Sequence, residues 1–366
     1  MSSTSLMAKS IRFPCNPDYK QLNPQGRLDR LPLFCMTKLH FPLLIAVSLL
    51  AGACSKTGIT TDEVRELSVS PEITQLTKAA LSGNTLGTDN TYVVYLSASS
   101  AEMGNYFSDQ LYSYCGTAPN GKWRASSEPN VADPILWPLG GQRLDFLGIA
   151  CMPQAHEDLQ DQIKWDTALP ANSVKIVDWD LKEHPYDVMY AAQNAQGYNT
   201  TNSGAVNMEF RHSQALVTFS AKCNEADAFT IKGITVQGLD HVGTLTVDNT
   251  RSTLTASWAK TEGSTPDDMV VTGLGDEGIV LSDTEYTPCG DGIIIMPQSA
   301  KSITITYTLR GAVEDFAATY TFDIPRTVWK AGNRYNYALD LSLKEILVKP
   351  EVNEWDDTVV EDKTHE

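Results

Sequence analysis

The sequence predicts an all-β protein, organised as two antiparallel β-sandwich domains in series. Three observations favour this fold class: apolar residues recur at every second position, glycine and proline separate these runs, and amphipathic helical patterns are scarce. A length of 366 residues is long for a single core, which favours two domains. Many short strands in a chain of this size are typical of sandwiches.

Period-two alternation marks strands that bury one face. In residues 302–309, Ile303 and Ile305 lie on one side while Thr304 and Thr306 lie on the other. The clearest runs, in chain order, are residues 91–97, 206–210, 215–219, 302–309, 320–324 and 335–343. The one short helical candidate is residues 156–163.

The polar stretch 193–204 separates two patterned regions, and it is rich in Asn, Gln, Gly, Ser and Thr. A domain break is predicted there. The N-terminal β-sandwich domain is then residues 67–200 and the C-terminal one residues 201–366.

The N-terminal region has the layout of a targeting segment. A basic Lys38 precedes an apolar run at 41–50, which is too short to span a bilayer, and Ala51-Gly52-Ala53-Cys54 follows. We predict residues 1–35 to be an extension upstream of the native start or a long n-region, with Met36 as the initiator. Residues 36–53 are then a lipoprotein signal peptide and residues 54–66 a tether.

Cys54 follows small residues, as the lipid-modified cysteine of a lipobox does, although Ala51 stands where leucine is preferred. The peptide bond before Cys54 also fits the cleavage site of an ordinary signal peptidase. The polar stretch that follows favours lipidation, since cleavage without it would leave a bare reactive thiol at the N-terminus. Cys54 is therefore the predicted lipid attachment site, carrying a palmitate-type anchor.

Charge and motifs exclude several function classes. The chain carries a formal charge of −17, which disfavours nucleic acid as a partner. A Gly-x-Ser-x-Gly elbow and a His-Glu-x-x-His helix are both missing. We therefore expect no catalytic residues, no metal and no cofactor.

Cysteines and tryptophans leave alternatives open. Four cysteines beyond Cys54 could form two disulfides in an oxidising compartment or remain free and buried. Four tryptophans could stack on sugars or fill the core. The four cysteines are Cys115, Cys151, Cys223 and Cys289, and the four tryptophans are Trp123, Trp137, Trp165 and Trp179.

Several stretches together resemble the fimbrillin family, the type V pilins and related fimbrial lipoproteins of Bacteroides-type bacteria. They are Leu67-Ser-Val-Ser-Pro-Glu-Ile-Thr-Gln-Leu-Thr-Lys-Ala-Ala80, Ile135-Leu-Trp-Pro-Leu139 with residues 144–150, Asp187-Val-Met-Tyr-Ala191, residues 206–217, and Trp329-Lys-Ala-Gly-Asn-Arg-Tyr-Asn-Tyr337 running on to Trp355. Their order and spacing cover nearly the whole chain after the tether.

The resemblance implies two transthyretin-like sandwich domains and a role as a pilus subunit. Such subunits reach the outer membrane as lipoproteins, and a trypsin-like protease removes the first strand. A neighbouring subunit's strand then fills the groove. By position, cleavage here would follow Lys78, although processed members typically have arginine there, and Arg65 is the fallback site.

The same resemblance assigns side chains to strand exchange. Leu67, Val69 and Ile73 would fill the groove before processing. Ile346, Val348 and Val352 are the candidate inserting side chains of the donor segment. The implied partners are other pilin subunits and, through Cys54, the outer membrane. The alternative is a monomeric surface lipoprotein or tip adhesin that binds a glycan or host ligand.

Overall fold

A computed structural model describes residues 65–73, 86–87, 92–128, 131–152, 161–165, 173–201, 204–225, 228–250, 253–299, 301–310, 315–324, 327–342 and 346–354. All of them fall in one compact unit, Ile59–Glu366, and the other unit, Met1–Gly58, lies outside them. Cys54, the predicted signal peptide and Lys78 are therefore outside the described residues.

The all-β prediction is confirmed. The strands of the first half are β1 (Ser68–Ile73), β2 (Val93–Ser100), β3 (Gly104–Cys115), β4 (Lys122–Glu128), β5 (Val131–Ala132), β6 (Leu144–Cys151), β7 (Ile163–Trp165), β8 (Ser173–Asp180), β9 (Val188–Gln196) and β10 (Ala205–His212). Those of the second half are β11 (Ala215–Cys223), β12 (Phe229–Leu239), β13 (Val242–Asp248), β14 (Thr255–Lys260), β15 (Asp267–Val270), β16 (Ile279–Val280), β17 (Thr287–Pro288), β18 (Ile293–Ile295), β19 (Gln298–Ser299), β20 (Ser302–Leu309), β21 (Phe316–Asp323), β22 (Val328–Trp329), β23 (Asn333–Leu341) and β24 (Ile346–Glu354).

The N-terminal strands form one sheet that closes on itself. Its order is β1-β10-β9-β6-β2-β3-β4-β5, and β1 also pairs with β4. The ring therefore runs through seven strands, with β5 attached to β4. Alternate side chains fill its interior, among them Leu96, Phe146 and Phe210. The ring includes β10, which follows the domain boundary predicted at residue 200. The division of the chain into two domains at that residue stays a prediction.

Several ring strands are buried on both faces. The outward side chains Val93, Tyr95 and Ile149 belong to a second core that continues into the C-terminal half. A four-stranded sheet of order β14-β13-β8-β7 combines strands from both halves of the sequence. Long-range pairing of this kind ties the two halves together.

Two further sheets contribute to the second core. Their orders are β17-β11-β23-β24 and β15-β12-β20-β21, with β18 and β16 attached to β11 and β12. The strand β23 runs parallel to β11 over eight residue pairs. Inward side chains of both sheets, such as Phe219, Ile305 and Tyr337, share one core.

The helical candidate at 156–163 lies mostly outside the described residues. Its residues Asp161 and Gln162 are helical, and Ile163 begins β7. Among the residues that the structure describes, short 3₁₀ turns occur at Leu139–Gly141 and Tyr198–Thr200. In the described ranges, no helix has the length and apolar character needed to cross a bilayer.

Candidate functional site: the first strand and its groove

The strand β1 completes the N-terminal ring by pairing on both sides. It runs parallel to β10 through all six residues, Ser68–Ile73. On the opposite side, Ser68 and Val69 pair antiparallel with β4. Without β1, the ring would open, and β10 and β4 would each present unpaired backbone groups.

The side chains of this segment alternate between the core and the outer surface. Leu67 and Val69 are buried in the ring interior. Ile73 is half-buried and packs against the same core. The three side chains that the family resemblance assigned to the groove therefore lie on one face and contact the ring interior.

Backbone hydrogen bonds fix the residues that precede β1. The N–H of Leu67 donates to the carbonyl oxygen of Ile135 at 2.8 Å, and the N–H of Trp137 donates to that of Arg65 at 2.8 Å. The indole N–H of Trp137 donates to the carbonyl oxygen of Gly204 at 3.0 Å. Gly204 has φ +86°, and a Cβ there would come within 2.9 Å of a facing backbone oxygen. Only glycine fits this close approach.

Side chains hold the same segment from outside. The Arg65 guanidinium lies 4.7 Å from the ring centroid of Tyr198, a cation–π contact. Glu66 forms an ion pair with Arg124 of β4 at 3.3 Å. Arg65 is thus part of an ordered segment, whereas proteases prefer exposed loop tips. The fallback cleavage site is therefore poorly placed for cutting in the folded chain.

The chain returns to β1 at Leu86. Its N–H donates to the carbonyl oxygen of Pro71 at 3.1 Å, and its side chain is buried in the ring core. Lys78 lies in the connection between these two attached segments. Its own surroundings are outside the described residues.

The predicted donor segment forms β24 at the edge of its sheet. It pairs antiparallel with β23 over nine residues. Val348 is half-buried against the core, whereas Val352 is 52% exposed. The backbone of Ile346 belongs to β24, but its side chain is outside the described residues. In this structure, the segment is paired within its own chain.

The sequences of β1 and β24 are similar to each other. The segment Leu67-Ser-Val-Ser-Pro-Glu-Ile73 matches Ile346-Leu-Val-Lys-Pro-Glu-Val352, with Val, Pro and Glu identical and aliphatic residues at both ends. The similarity is inconspicuous in the sequence because the segments lie at opposite ends of the chain and form no tandem repeat. The shared pattern gives both segments the same alternation of side chains.

Ionic contacts attach the outer face of β24 to its neighbours. Lys349 donates to Asp340 of β23 at 2.5 Å, and the Tyr286 hydroxyl donates to the same carboxylate at 2.7 Å. Burial acts to raise the pKa of Asp340, but the hydrogen bonds from Lys349 and Tyr286 outweigh it and lower the pKa below its ordinary value. The hydrogen bond to Asp340 is the main reason that the pKa of Lys349 is raised.

A buried polar pair lies where β9 and β10 meet the second core. His212 Nδ1 is 2.8 Å from Asp187 Oδ2, and both side chains are buried. The Gln214 side chain accepts a hydrogen bond from the N–H of Val188 at 2.8 Å. Sequence analysis included these residues in two family-like stretches but assigned them no role. The pattern offered no signal for the pair, because Asp is usually exposed and His is intermediate in burial.

The structure answers two questions that the sequence left open. All four described cysteines are free and buried, and burial is the main reason that the pKa of Cys151 is raised. Trp123, Trp137 and Trp179 are buried, which favours core packing over a sugar platform for them. Trp165 is partly exposed and donates to Asp109 at 2.9 Å.

One motif escaped the sequence analysis. Gly116-Thr-Ala-Pro-Asn-Gly121-Lys122 has the Gly-x-x-x-x-Gly-Lys spacing of a phosphate-binding loop. Trp123 replaces the required Ser or Thr, and the segment connects two antiparallel strands, β3 and β4, rather than a strand and a helix. It therefore lacks the context that phosphate binding needs. Within the described ranges, His, Cys, Asp and Glu form no cluster of three or more suited to a metal.

Solved structures with a similar fold include fimbrial and candidate cell adhesion proteins. The chain matches no curated protein. A fimbrial protein from Bacteroides vulgatus superposes with a TM-score of 0.55 at 12% identity, covering 79% of this chain and 99% of that one. A candidate cell adhesion protein from Bacteroides uniformis gives a TM-score of 0.50 at 16% identity, with 80% and 98% covered. The model of the fimbrillin-like family matches residues 77–355. The chain therefore belongs to the fimbrillin-like family.

Proposed function

We propose that this protein is a subunit of a cell-surface fimbria, exported as a lipoprotein through Cys54 and joined to its neighbours by exchange of β1. Family membership supports the fimbrial role and the surface location. The carrying observation is that β1 closes the ring from both sides. With β1 in place the ring of strands is complete, and without β1 an open groove would remain.

Release of β1 would create a specific acceptor. Two rows of unpaired backbone groups, one on β10 and one on β4, would flank the positions vacated by Leu67 and Val69. Uncovering each such side chain costs about 1.5–3 kcal/mol. An incoming strand must therefore supply both backbone hydrogen bonds and aliphatic side chains at alternate positions.

The segment β24 has the side chains that such a strand needs. Its match to β1 would bring Ile346, Val348 and Val352 to the positions of Leu67, Val69 and Ile73. A register error of one residue would turn these side chains away from the core. The matching prolines and glutamates specify the same register. A second copy of this chain, or another pilin with this pattern, is the proposed donor.

We extend the proposal to the domain organisation. The N-terminal ring accepts the donor, and the C-terminal sheets form a second sandwich that presents β24, both of the transthyretin-like kind. Lys78 is the proposed cleavage site, since Arg65 is held by Trp137 and Tyr198. The lipid on Cys54 would then leave with β1, and the subunit would stay at the outer surface through its neighbours.

The first experiment is mass spectrometry of the native protein's N-terminus. A lipidated Cys54 identifies an anchored, unprocessed chain, and a start at Ala79 identifies processing after Lys78. If every chain begins at Cys54 in cells that make fimbriae from this subunit, the processing step is contradicted.

The second experiment separates donor from acceptor. Val352→Asp places a charge at a proposed inserting position that is 52% exposed in this chain's own fold, and it leaves β1 and its groove unchanged. We expect it to abolish high-molecular-weight ladders on unboiled gels and to shorten wild-type ladders when mixed with them. The matched control is Lys349→Ser, which copies Ser70 of β1 on the outer face. Ladders of equal length in both variants would refute the donor assignment.

A further inference from the structure

The strand β21 leaves one edge of the C-terminal half open. It pairs with β20 over eight consecutive residues with no shift in register. Among the described strands, none pairs with its other edge. It therefore presents a straight row of unpaired backbone groups, which is a template for another strand.

The side chains of β21 extend the apolar face of the sheet beyond its cover. Its neighbours on β20, Ile303 and Ile305, face the core and are buried. On the same face of β21, however, Phe316 is 61% exposed and Tyr320 is 40% exposed. The rings of Tyr320 and Phe322 stack with centroids 6.0 Å apart. An ordered aromatic row thus meets solvent where a sheet would normally be covered.

The sheet of order β17-β11-β23-β24, which shares its core with the β21 sheet, is open on the same side. Residues 281–286 connect β16 to β17 and close the other side, where the Leu281 N–H donates to the Phe229 oxygen at 3.0 Å. The sheet orders therefore place β21 and β24 together at the far side. There Val352 of β24, on the core-facing side of its strand opposite Tyr335, is also largely exposed. Neither edge strand covers the other's apolar face.

Natural edge strands usually carry lysine, proline or a bulge that prevents pairing. None of these occurs in β21, whose one charged residue is Asp323 at its end. The neighbouring edge β24, in contrast, contains Lys349, Pro350 and Glu351. Since the whole chain carries −17, a nearly neutral edge is the surface on which two copies repel each other least.

We propose that β21 pairs antiparallel with β21 of a second copy, with the two-fold axis at Tyr320. This register keeps the aromatic faces of both strands on the same side. It sets Ala318 of one copy opposite Phe322 of the other, so that small and large side chains alternate. Asp323 then faces Ala317 and meets no like charge. The contact is isologous and closes as a dimer, and it is separate from β1 and from β24 pairing.

Sedimentation velocity of the full chain tests this contact. We expect a monomer–dimer equilibrium that shifts toward the dimer as salt rises from about 0.05 to 0.5 M, because salt screens the repulsion between acidic bodies. Tyr320→Lys places two ammonium groups opposite each other and removes a ring contact. It should raise the dimer dissociation constant at least about tenfold.

The matched control is Val270→Lys, on the opposite edge of the same sheet, where Val270 is 62% exposed. It should leave the dimer unchanged, and circular dichroism should show that both variants fold. Lys78→Ala, which removes the proposed cleavage site, should dimerise as the wild type does, which separates this contact from strand exchange. A monomer at all salt concentrations, or equal dimerisation of Tyr320→Lys and wild type, would overturn the proposal.

Discussion

Replacing Leu67 by alanine tests how much of the ring depends on β1. The side chain is fully buried between the two flanking strands, so its truncation removes three carbons and leaves a cavity. Leucine-to-alanine substitutions at such sites cost about 2–5 kcal/mol of the free energy of unfolding. We expect the loss to appear first as local opening of β1, since the strand is attached to the remainder of the chain through the single connection 74–85.

Hydrogen exchange measured by mass spectrometry distinguishes local from global opening. A loss of about 3 kcal/mol corresponds to roughly a 100-fold loss of protection in β1 amides. The matched control is Leu139→Ala, the same substitution at a leucine that is 81% exposed, where the change should stay within about 0.5 kcal/mol. Equal loss of β1 protection in the two variants would show that Leu67 does not hold the strand.

Three other predictions follow from buried or paired groups. His212→Ala should lower the free energy of unfolding by about 3–5 kcal/mol because it leaves Asp187 buried without its partner. Denaturation in urea measures this free energy, and a change of less than about 1 kcal/mol would contradict the reasoning. The pKa of Asp340 is lowered in the folded state, so the stability that its charge contributes is present at neutral pH and is lost as pH falls through that pKa, below about 4. The difference in urea midpoint between wild type and Asp340→Asn should therefore vanish at such acidic pH. A difference that persists would exclude the hydrogen bond from Lys349 as the source of the stabilisation. Cys151, whose pKa is raised by burial, should react with a thiol reagent only after unfolding. Because its side chain lies in the second core, rapid labelling of the native chain at that residue would show that the second core opens.

The sequence predicts strands best where one face meets solvent. In β10, Val206, Met208 and Phe210 are buried while the residues between them are not, and the period-two pattern is clear. In β2 all eight residues are buried, because one face lines the ring and the other meets the second core. The sequence showed Val94 and Leu96 facing one way but gave no contrast that revealed the burial of Tyr95.

Pairing partners are less predictable than strands. That β1 lies between β10 and β4 depends on contacts between residues far apart in the sequence, and local patterns do not encode such contacts. The side chains of Leu67, Val69 and Ile73 were assigned to the proposed groove through the resemblance to the fimbrillin family, not through a pairing signal in the sequence. The role of the segment 135–137 could not be predicted from the sequence either, because Trp137 fixes Arg65 through backbone groups that carry no sequence signal.

The proposed cleavage at Lys78 would have a thermodynamic reason as well as a positional one. While β1 remains attached, it competes for its own groove at an effective concentration in the millimolar range, as a segment on a short linker does. A donor strand with the same pattern, present at about 1 μM, would then lose by roughly 10³-fold, or about 4 kcal/mol. Cleavage turns the attached competitor into a dilute peptide and removes this advantage.

Lys78→Ala should therefore block polymer formation even though donor and groove are unchanged. Raising subunit concentration toward the millimolar range should restore part of it, and a synthetic peptide of residues 65–77 should inhibit the cleaved wild type. The readout is the ladder on unboiled gels, with Lys349→Ser as the control that keeps the cleavage site. Polymers of normal length from uncleaved Lys78→Ala at micromolar concentration would show that β1 is not the competitor, because an attached strand with this affinity leaves no free groove for a donor to enter.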